Sequence, residues 1–369
     1  MRSSKRRLVW LVALLAAVGL VAAACGSDSK SSDTTSTSSA SGGSATGIDI
    51  DYSSLSGTLN GSGSTFQKTF DEAAIEGFSE VAPKLTVNYA GGGSGQGKKD
   101  LAAGTVQWAG TDSKVSDADM SGFPNGVLYF PTVAAPITIS YNVKGVDELN
   151  LSQETLAGIF VGAIKTWNDP KIAADNPDAN LPSTAITLAV RSDGSGTTST
   201  FSKYLAKVAP SIFTLTPGDT VQWPNAQAGN GNPGVAQIIT QTDGAIGYVD
   251  FSDAQNSNLT FANIKNKAGE FITPSTDAAS AALAGATIGS DLFIDALDAT
   301  GADAYPITAG TYVLVTKVQK DQATANNIKG WINYLLTDAQ DLAAEVDFAK
   351  LPTELQSQAI AQLASITVG

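Results

Sequence analysis

The chain has 369 residues, enough for two domains of ordinary size, and with 43% of them hydrophobic and only 15% charged it suits a globular protein with a sizeable core. Its net charge of −13 argues against a nucleic-acid partner, which needs a basic face to displace counterions. It holds no histidine and one cysteine, so histidine-based triads, histidine-ligated metals, cysteine-rich zinc sites and internal disulfides are excluded.

In chain order, the first feature is a targeting segment. Arg2, Lys5, Arg6 and Arg7 precede an apolar run from Leu8 to Val21. That run is shorter than the ~20 residues a membrane span needs. It ends in Ala22-Ala23-Ala24-Cys25-Gly26, small residues directly before the single cysteine, and this resembles a bacterial lipobox. Cys25 would then be lipidated and become the first residue of the mature chain. Ala22 stands where leucine is commoner, and an ordinary cleaved signal is the alternative reading. Loss of the signal, residues 1–24, removes four basic residues and no acidic one, taking the net charge from −13 to −17. Residues 26–50 carry almost no large apolar side chain and cannot bury enough surface to fold. A flexible tether is expected over 25–55.

From Leu59 onward, short runs rich in Val, Ile, Thr and Tyr predict strands at 84–91, 126–143, 185–192, 244–251 and 311–318. Apolar periodicity predicts helices at 65–80, 97–103, 152–160, 197–208, 233–242, 276–286, 288–297, 321–336 and 353–365. This alternation implies an α/β architecture with mainly parallel sheets.

Several strand ends share one local design. NGSGSTF (60–66), GGGSGQGKKDL (91–101) and RSDGSGTTSTF (191–201) are Gly/Ser/Thr loops that each feed a helix start, and WAG (108–110) runs into an isolated acid, Asp112. Such loops aim backbone N–H groups and hydroxyls at one spot, where the helix dipole favours negative charge. Arg191 adds a guanidinium fork, whose geometry suits tetrahedral oxyanions, and Asp193 is placed to fix it. Together they point to a small oxyanion site between two lobes. In isolation, Arg191 and Asp193 also read as a surface ion pair of little worth.

Other motifs carry less. GGSGQGKK (92–99) nearly fits a P-loop, but Lys99 occupies the position of the magnesium ligand. In GNGNPG (229–234), Asn232 and Pro233 read as a helix cap and first turn. No Gly-x-Ser-x-Gly elbow is present, so acyl transfer is not expected. Asp117 and Asp119 read as solvated surface, and Trp108, Trp167, Trp223 and Trp331 as packing.

In order, GSGSTF (61–66), NYAGGGSGQG (88–97), WAGTD (108–112), IKTWND (164–169), RSDGSGTTSTF (191–201) and GNPGV…TDGAIGYV (231–249) resemble the motifs of the PstS-like phosphate-binding proteins of bacterial phosphate ABC transporters. The resemblance spans roughly residues 57–366, and the cysteine with its tether is similar to the lipoprotein form. It implies the two-lobed type II periplasmic-binding-protein fold: α/β lobes with mainly parallel central sheets and a hinge of crossing strands. On that reading, residues 56–135 plus 252–369 form lobe I and 136–251 form lobe II. The function implied is high-affinity extracytoplasmic capture of inorganic phosphate and its delivery to an ABC permease, by a lipid-anchored monomer at the outer face of the cell membrane. No enzymatic activity, cofactor, metal or nucleic acid is expected. Binding of another tetrahedral oxyanion, or phosphate sensing without transport, are the alternatives.

Carried over residue by residue, the resemblance makes Thr65, Phe66, Ser94 and Asp112 the ligand contacts of one lobe and Arg191, Ser195, Gly196 and Thr197 those of the other, with Asp193 orienting Arg191. Gly95-Gln96 stands where the family commonly has a Ser-Gly pair, so position 95 offers no hydroxyl. The acid at 112 has a chemical logic. Phosphate at neutral pH carries at least one O–H, which an ionised Asp112 accepts, whereas sulfate carries none and meets only lone pairs and like charge. A site built to pair a ligand hydroxyl rejects the analogue lacking it by ~10⁴–10⁵, partly through repulsion.

Overall fold

The computed structural model describes residues 45–369. The leader, Cys25 and the tether as far as residue 44 lie outside the described residues. Residues 45–55, which the sequence assigns to the tether, lie against the domain instead. Ala45 and Leu55 are buried, the Ile48 N–H donates to Asn333 Oδ1 at 3.0 Å, and the Tyr52 ring meets Phe78 edge-on at 5.6 Å. Tyr52 and Leu55 supply the apolar surface that the polar run before them lacks.

The chain then alternates strands and helices: β1 (Gly57–Gly63), α1 (Lys68–Val81), β2 (Leu85–Gly91), α2 (Ser94–Ala102) and β3 (Trp108–Thr111). The long β4 (Val127–Asn142) leads to β5 (Asn150–Leu151), α3 (Gln153–Phe160) and α4 (Pro170–Asp175). Next come β6 (Thr187–Arg191), α5 (Gly196–Val208), β7 (Ala226–Gly229), α6 (Gly231–Gln241), β8 (Ala245–Asp250) and α7 (Phe251–Asn256). Short strands β9 (Thr260–Phe261), β10 (Asn263–Lys265) and β11 (Phe271–Ile272) precede α8 (Thr276–Ala284), β12 (Thr287–Ile288) and β13 (Ile294–Asp295). The nine-residue β14 (Thr308–Thr316), α9 (Gln322–Leu336) and α10 (Thr353–Gln362) follow.

One curled sheet runs in the order β2-β1-β3-β14-β4-β8-β6-β7. Its two flanks, β2-β1-β3 and β8-β6-β7, are parallel, as strand–helix–strand connections require. At the centre, β14 and β4 run antiparallel, and β4 changes partners along its length. Residues 127–136 pair with β14; from Ile137 onward the strand pairs with β8, and β9 takes the other edge at Ser140 and Tyr141. β4 is therefore shared by both halves of the sheet, and thirteen consecutive residues of it, Tyr129–Tyr141, are buried. β10 pairs with β5, so residues 260–265 remain with the β4–β8 half.

Local chemistry explains the helix starts. Ser195 Oγ accepts from Thr198 N–H at 3.1 Å to cap α5, and Asp169 with Pro170 at the first turn starts α4, a helix the periodicity did not signal. The helix expected at 288–297 does not form. Leu292 adopts φ +63°, and residues 287–288 pair with 294–295 as a hairpin. Its apolar spacing mimics a helix, but Ile294 N–H is taken by the Tyr312 hydroxyl at 2.7 Å, a tertiary bond that favours the extended form. Among the described residues, no helix is long and apolar enough to cross a membrane.

Candidate functional site

Two pairs of parallel strands, β1 with β3 and β6 with β7, run in opposite senses and end at one place. Ser64 and Thr65 follow β1, Asp112 follows β3, Arg191 is the last residue of β6, and Gly231 and Asn232 follow β7. In open α/β sheets this carboxyl end, with helix N-termini aimed at it, is where ligands bind. The first turns of α2, α5 and α6 all face it with their positive dipole ends, though the Gly95, Gly231 and Asn232 N–H groups are already paired, with the Gly194 carbonyl, Asp193 Oδ1 and Thr65 Oγ1.

Asp112 lies at the centre, 3% exposed. Ser64 Oγ lies within hydrogen-bond reach of both its carboxylate oxygens, at 2.7 and 2.8 Å, and Thr311 Oγ1 is 2.7 Å from Oδ1. Ser94 accepts from the Asp112 N–H at 3.2 Å, and its own hydroxyl is 3.4 Å from Oδ2. Burial pushes the Asp112 carboxyl up to about 6, against the opposing bonds from Thr311 and Ser64 and the Arg191 charge. Asp112 is thus an acid poised to change protonation state near neutrality.

Arg191 comes from the other half of the sheet, 8% exposed. Its Nε donates to Asp193 Oδ1 at 2.8 Å and its Nη2 to Asp193 Oδ2 at 2.5 Å. Burial alone would raise the Asp193 carboxyl, but the Arg191 bonds and charge and the Gly231 N–H hold it below its ordinary value. Arg191 Nη1 faces Asn232 Oδ1 at 3.1 Å and Thr197 Oγ1 at 3.4 Å. Asn232 is no cap: Asn230 precedes the helix, and the Asn232 amide is turned inward against Arg191 and Thr197. Its N–H donates to Thr65 Oγ1 at 3.2 Å.

The two halves meet closely. Gly95 N–H donates to the Gly194 carbonyl at 2.9 Å. A Cβ on Gly196, the first residue of α5, would fall 2.5 Å from Ser94 Oγ and 2.7 Å from Asp112 Oδ2. Glycine is required there by the approach of another chain segment. At Gly93 it is also required by the backbone, at φ +88°.

Thr65, Ser94, Asp112, Arg191, Ser195, Gly196 and Thr197 are therefore brought together. Ser195 uses one lone pair on the α5 cap and keeps its O–H as a donor. Phe66 differs: its N–H donates to Ser64 Oγ at 3.0 Å, and its ring is buried against Phe348. Sequence reading missed Ser64, Thr311 and Asn232. It also missed Lys98, which is buried and donates to Asp219 Oδ2 at 2.7 Å and Ser113 Oγ at 2.9 Å. The P-loop-like spacing was the available signal, since its lysine position falls on Lys98, while Lys99 at the next position is exposed. Asp117 and Asp119 are exposed, while Trp108, Trp167 and Trp331 are fully buried.

A family model described as a PBP superfamily domain matches residues 32–339. A phosphate-binding protein PstS of Pasteurella multocida is 33% identical over 310 residues, which cover 83% of this chain and 89% of that protein. Phosphate-binding protein PstS3 of Mycobacterium bovis is 32% identical over 362 residues, 94% of this chain and 95% of that one. A high-affinity periplasmic phosphate-binding protein, PfluDING, solved with phosphate, superposes with a TM-score of 0.69 at 21% identity, covering 83% of this chain and 94% of that chain. An ABC-type phosphate transport receptor from Vibrio cholerae superposes at 0.54 and 20% identity, covering 80% and 100%. Both likenesses are in fold.

Proposed function

The chain belongs to the PstS family of phosphate-binding proteins, within the PBP superfamily, and from that membership we propose that it captures inorganic phosphate outside the cytoplasm and hands it to the permease of a phosphate ABC transporter. The observation that carries this reading is the buried Asp112 set among hydroxyl donors, facing the first turn of α5 and the guanidinium of Arg191. A carboxylate inside an anion site makes sense for a ligand that brings its own proton.

In this reading, Thr65, Ser94 and Asp112 act from one lobe, and Arg191, Ser195, Gly196 and Thr197 from the other. Neutral donors supply most of the binding and one guanidinium supplies the strong charge. Phe66 contributes packing rather than a free N–H. The lobe assignment is residues 56–135 plus 252–369 against 136–251, with one amendment: the pairing of β9 and β10 with β4 and β5 favours a return to the first lobe after β11 rather than at residue 252. The reading has the protein bind without chemistry, as a monomer. It also has Cys25 hold the protein at the membrane through lipid, in keeping with the basic-apolar leader and the small residues before that cysteine.

Calorimetry with phosphate and sulfate on the purified protein tests the reading. Stoichiometric phosphate binding with no measurable sulfate binding is expected, and equal affinity for the two anions overturns it.

A further inference from the structure

Behind Asp112 runs a buried polar chain that anion binding itself does not use. Gln67 precedes α1 and Asp71 lies one turn along it, and both are 0% exposed. Gln67 Nε2 donates to Asp71 Oδ2 at 2.8 Å. Gln67 Oε1 accepts from the Thr311 hydroxyl, and that same hydroxyl oxygen is 2.7 Å from Asp112 Oδ1. Asp71 Oδ1 is shielded from solvent and has no partner.

Counting protons exposes a conflict. Thr311 has one hydroxyl proton and faces Gln67 Oε1, which can only accept, and Asp112 Oδ1, which can only accept when ionised. If Thr311 gives its proton to Gln67, it turns a lone pair on Asp112, and the contact is favourable only when Asp112 carries a proton. If it gives the proton to Asp112, the carboxylate gains a donor and the Gln67 carbonyl faces a lone pair. Turning the Gln67 amide would relieve the conflict only if the Asp71 proton sat on Oδ2, the oxygen to which the NH₂ now donates. Asp71 itself, with one oxygen bare in a dry interior, is favoured in its neutral form. Burial raises its carboxyl well above the ordinary range, opposed by the Gln67 bond and reinforced by the charges of Asp112 and Glu72.

The surroundings are otherwise fixed. Arg191 from β6 favours ionised Asp112 and Asp219 disfavours it, with Asp250 and Tyr312 also within reach of its charge. Tyr89 from β2 faces Asp71 and Asp112 and donates its hydroxyl to the Ser64 carbonyl at 2.7 Å.

We propose that Asp71 is a positioning residue: by pinning the Gln67 amide it sets the competition for Thr311's single proton, and so how readily Asp112 becomes the bare acceptor that selects a protonated oxyanion. This rests on the reading of the site as a phosphate site. Phosphate and sulfate are titrated on the full chain from about pH 4.5 to 8, across the range in which a raised carboxyl changes state. The wild type is compared with Asp71→Asn, Asp71→Leu and Gln67→Met.

Asp71→Asn stays neutral and keeps an acceptor for Gln67, so the pH at which phosphate-over-sulfate preference is half lost stays where it is. Asp71→Leu and Gln67→Met free the Thr311 proton for Asp112, and that pH moves down by about one unit, roughly a tenfold gain in preference at a fixed acidic pH. A shift in Asp71→Asn overturns the proposal, since Asp71 would then act through its charge, and this holds even if the larger changes prevent folding. No shift in a folded Asp71→Leu or Gln67→Met also overturns it. If the wild type binds no phosphate, the phosphate reading itself fails, which is a separate result.

Discussion

Asp193 grips Arg191 from two residues away at two points, Nε to Oδ1 at 2.8 Å and Nη2 to Oδ2 at 2.5 Å, and the Arg191 side chain so held is 1% exposed, with Nη1 turned toward Thr197 and Asn232. Holding the fork in advance removes the entropy that a free arginine would lose on binding. It also leaves Asp193 dependent on its partner, because a largely buried carboxylate without the guanidinium is costly.

Arg191→Ala is therefore expected to weaken phosphate binding by at least about 30-fold, the lower end of the ~2–5 kcal/mol lost when a buried charge pair is broken. Thr65→Ala removes one neutral hydroxyl that accepts from Asn232 N–H, and about 1 kcal/mol, roughly fivefold, is expected. Titration calorimetry ranks the two, and the reverse order would count against the assignment of Arg191.

Asp112→Asn exchanges a pure acceptor for a group with two N–H donors at nearly the same volume. Phosphate loses the partner for its proton while sulfate loses a repulsion, so the two affinities should converge. A preference on the order of 10⁴ should fall to within about tenfold. Competition binding of sulfate against phosphate measures this directly, and an unchanged preference would mean that selectivity is set elsewhere.

The pH dependence follows from the same residue. Burial lifts the Asp112 carboxyl from an ordinary 3.8 to about 6. A carboxyl raised in the folded state favours folding while protonated. Its contribution is present below about pH 3.8 and is lost as the pH rises through about 6. Without ligand, the wild type should lose roughly 2.5 kcal/mol more stability than Asp112→Asn between about pH 4 and 7, and phosphate should restore stability by mass action. Denaturant midpoints of the two proteins across this range read the difference. Over the same interval the preference for phosphate should grow with pH, as Asp112 becomes a bare acceptor.

The arginine loop was legible in the sequence because its parts are neighbours: Arg191, Asp193 and the capping Ser195 lie within five residues, and turn chemistry fixes their geometry. The partners of Asp112 were not. Thr311 reaches it only because β14 runs antiparallel to β3, with Tyr312 opposite Thr111, a register that no local pattern encodes. Asn232 misled for the opposite reason: Asn before Pro at a helix start has the composition of a cap, but Asn230 occupies that place and frees the Asn232 amide to face Arg191. The buried strands, rich in β-branched residues, were found within a few residues of their ends. The hairpin at 287–295 was not, since its apolar spacing is decided by what it packs on, including the bond to Tyr312.

Gly196→Ala separates binding from folding. Alanine at the first position of a helix costs nothing in propensity and restricts the unfolded chain, so the isolated fold should keep its stability. Its Cβ, however, would lie 2.5 Å from Ser94 Oγ and 2.7 Å from Asp112 Oδ2, residues that come from the opposite half of the sheet. Neither neighbour can yield: Ser94 is bonded to Asp112 N–H, and Asp112 is bonded to Ser64 and Thr311. The methyl group should hold the two halves apart by the width of one contact. Phosphate affinity is then expected to fall at least about 100-fold, about 2.7 kcal/mol, with a melting temperature close to the wild type's. Solution scattering distinguishes this from a local loss of contacts. The wild type should contract when phosphate is added, and Gly196→Ala should keep its larger radius, whereas contraction of the variant with wild-type affinity would show that the approach of α5 to Asp112 is not what closes the site.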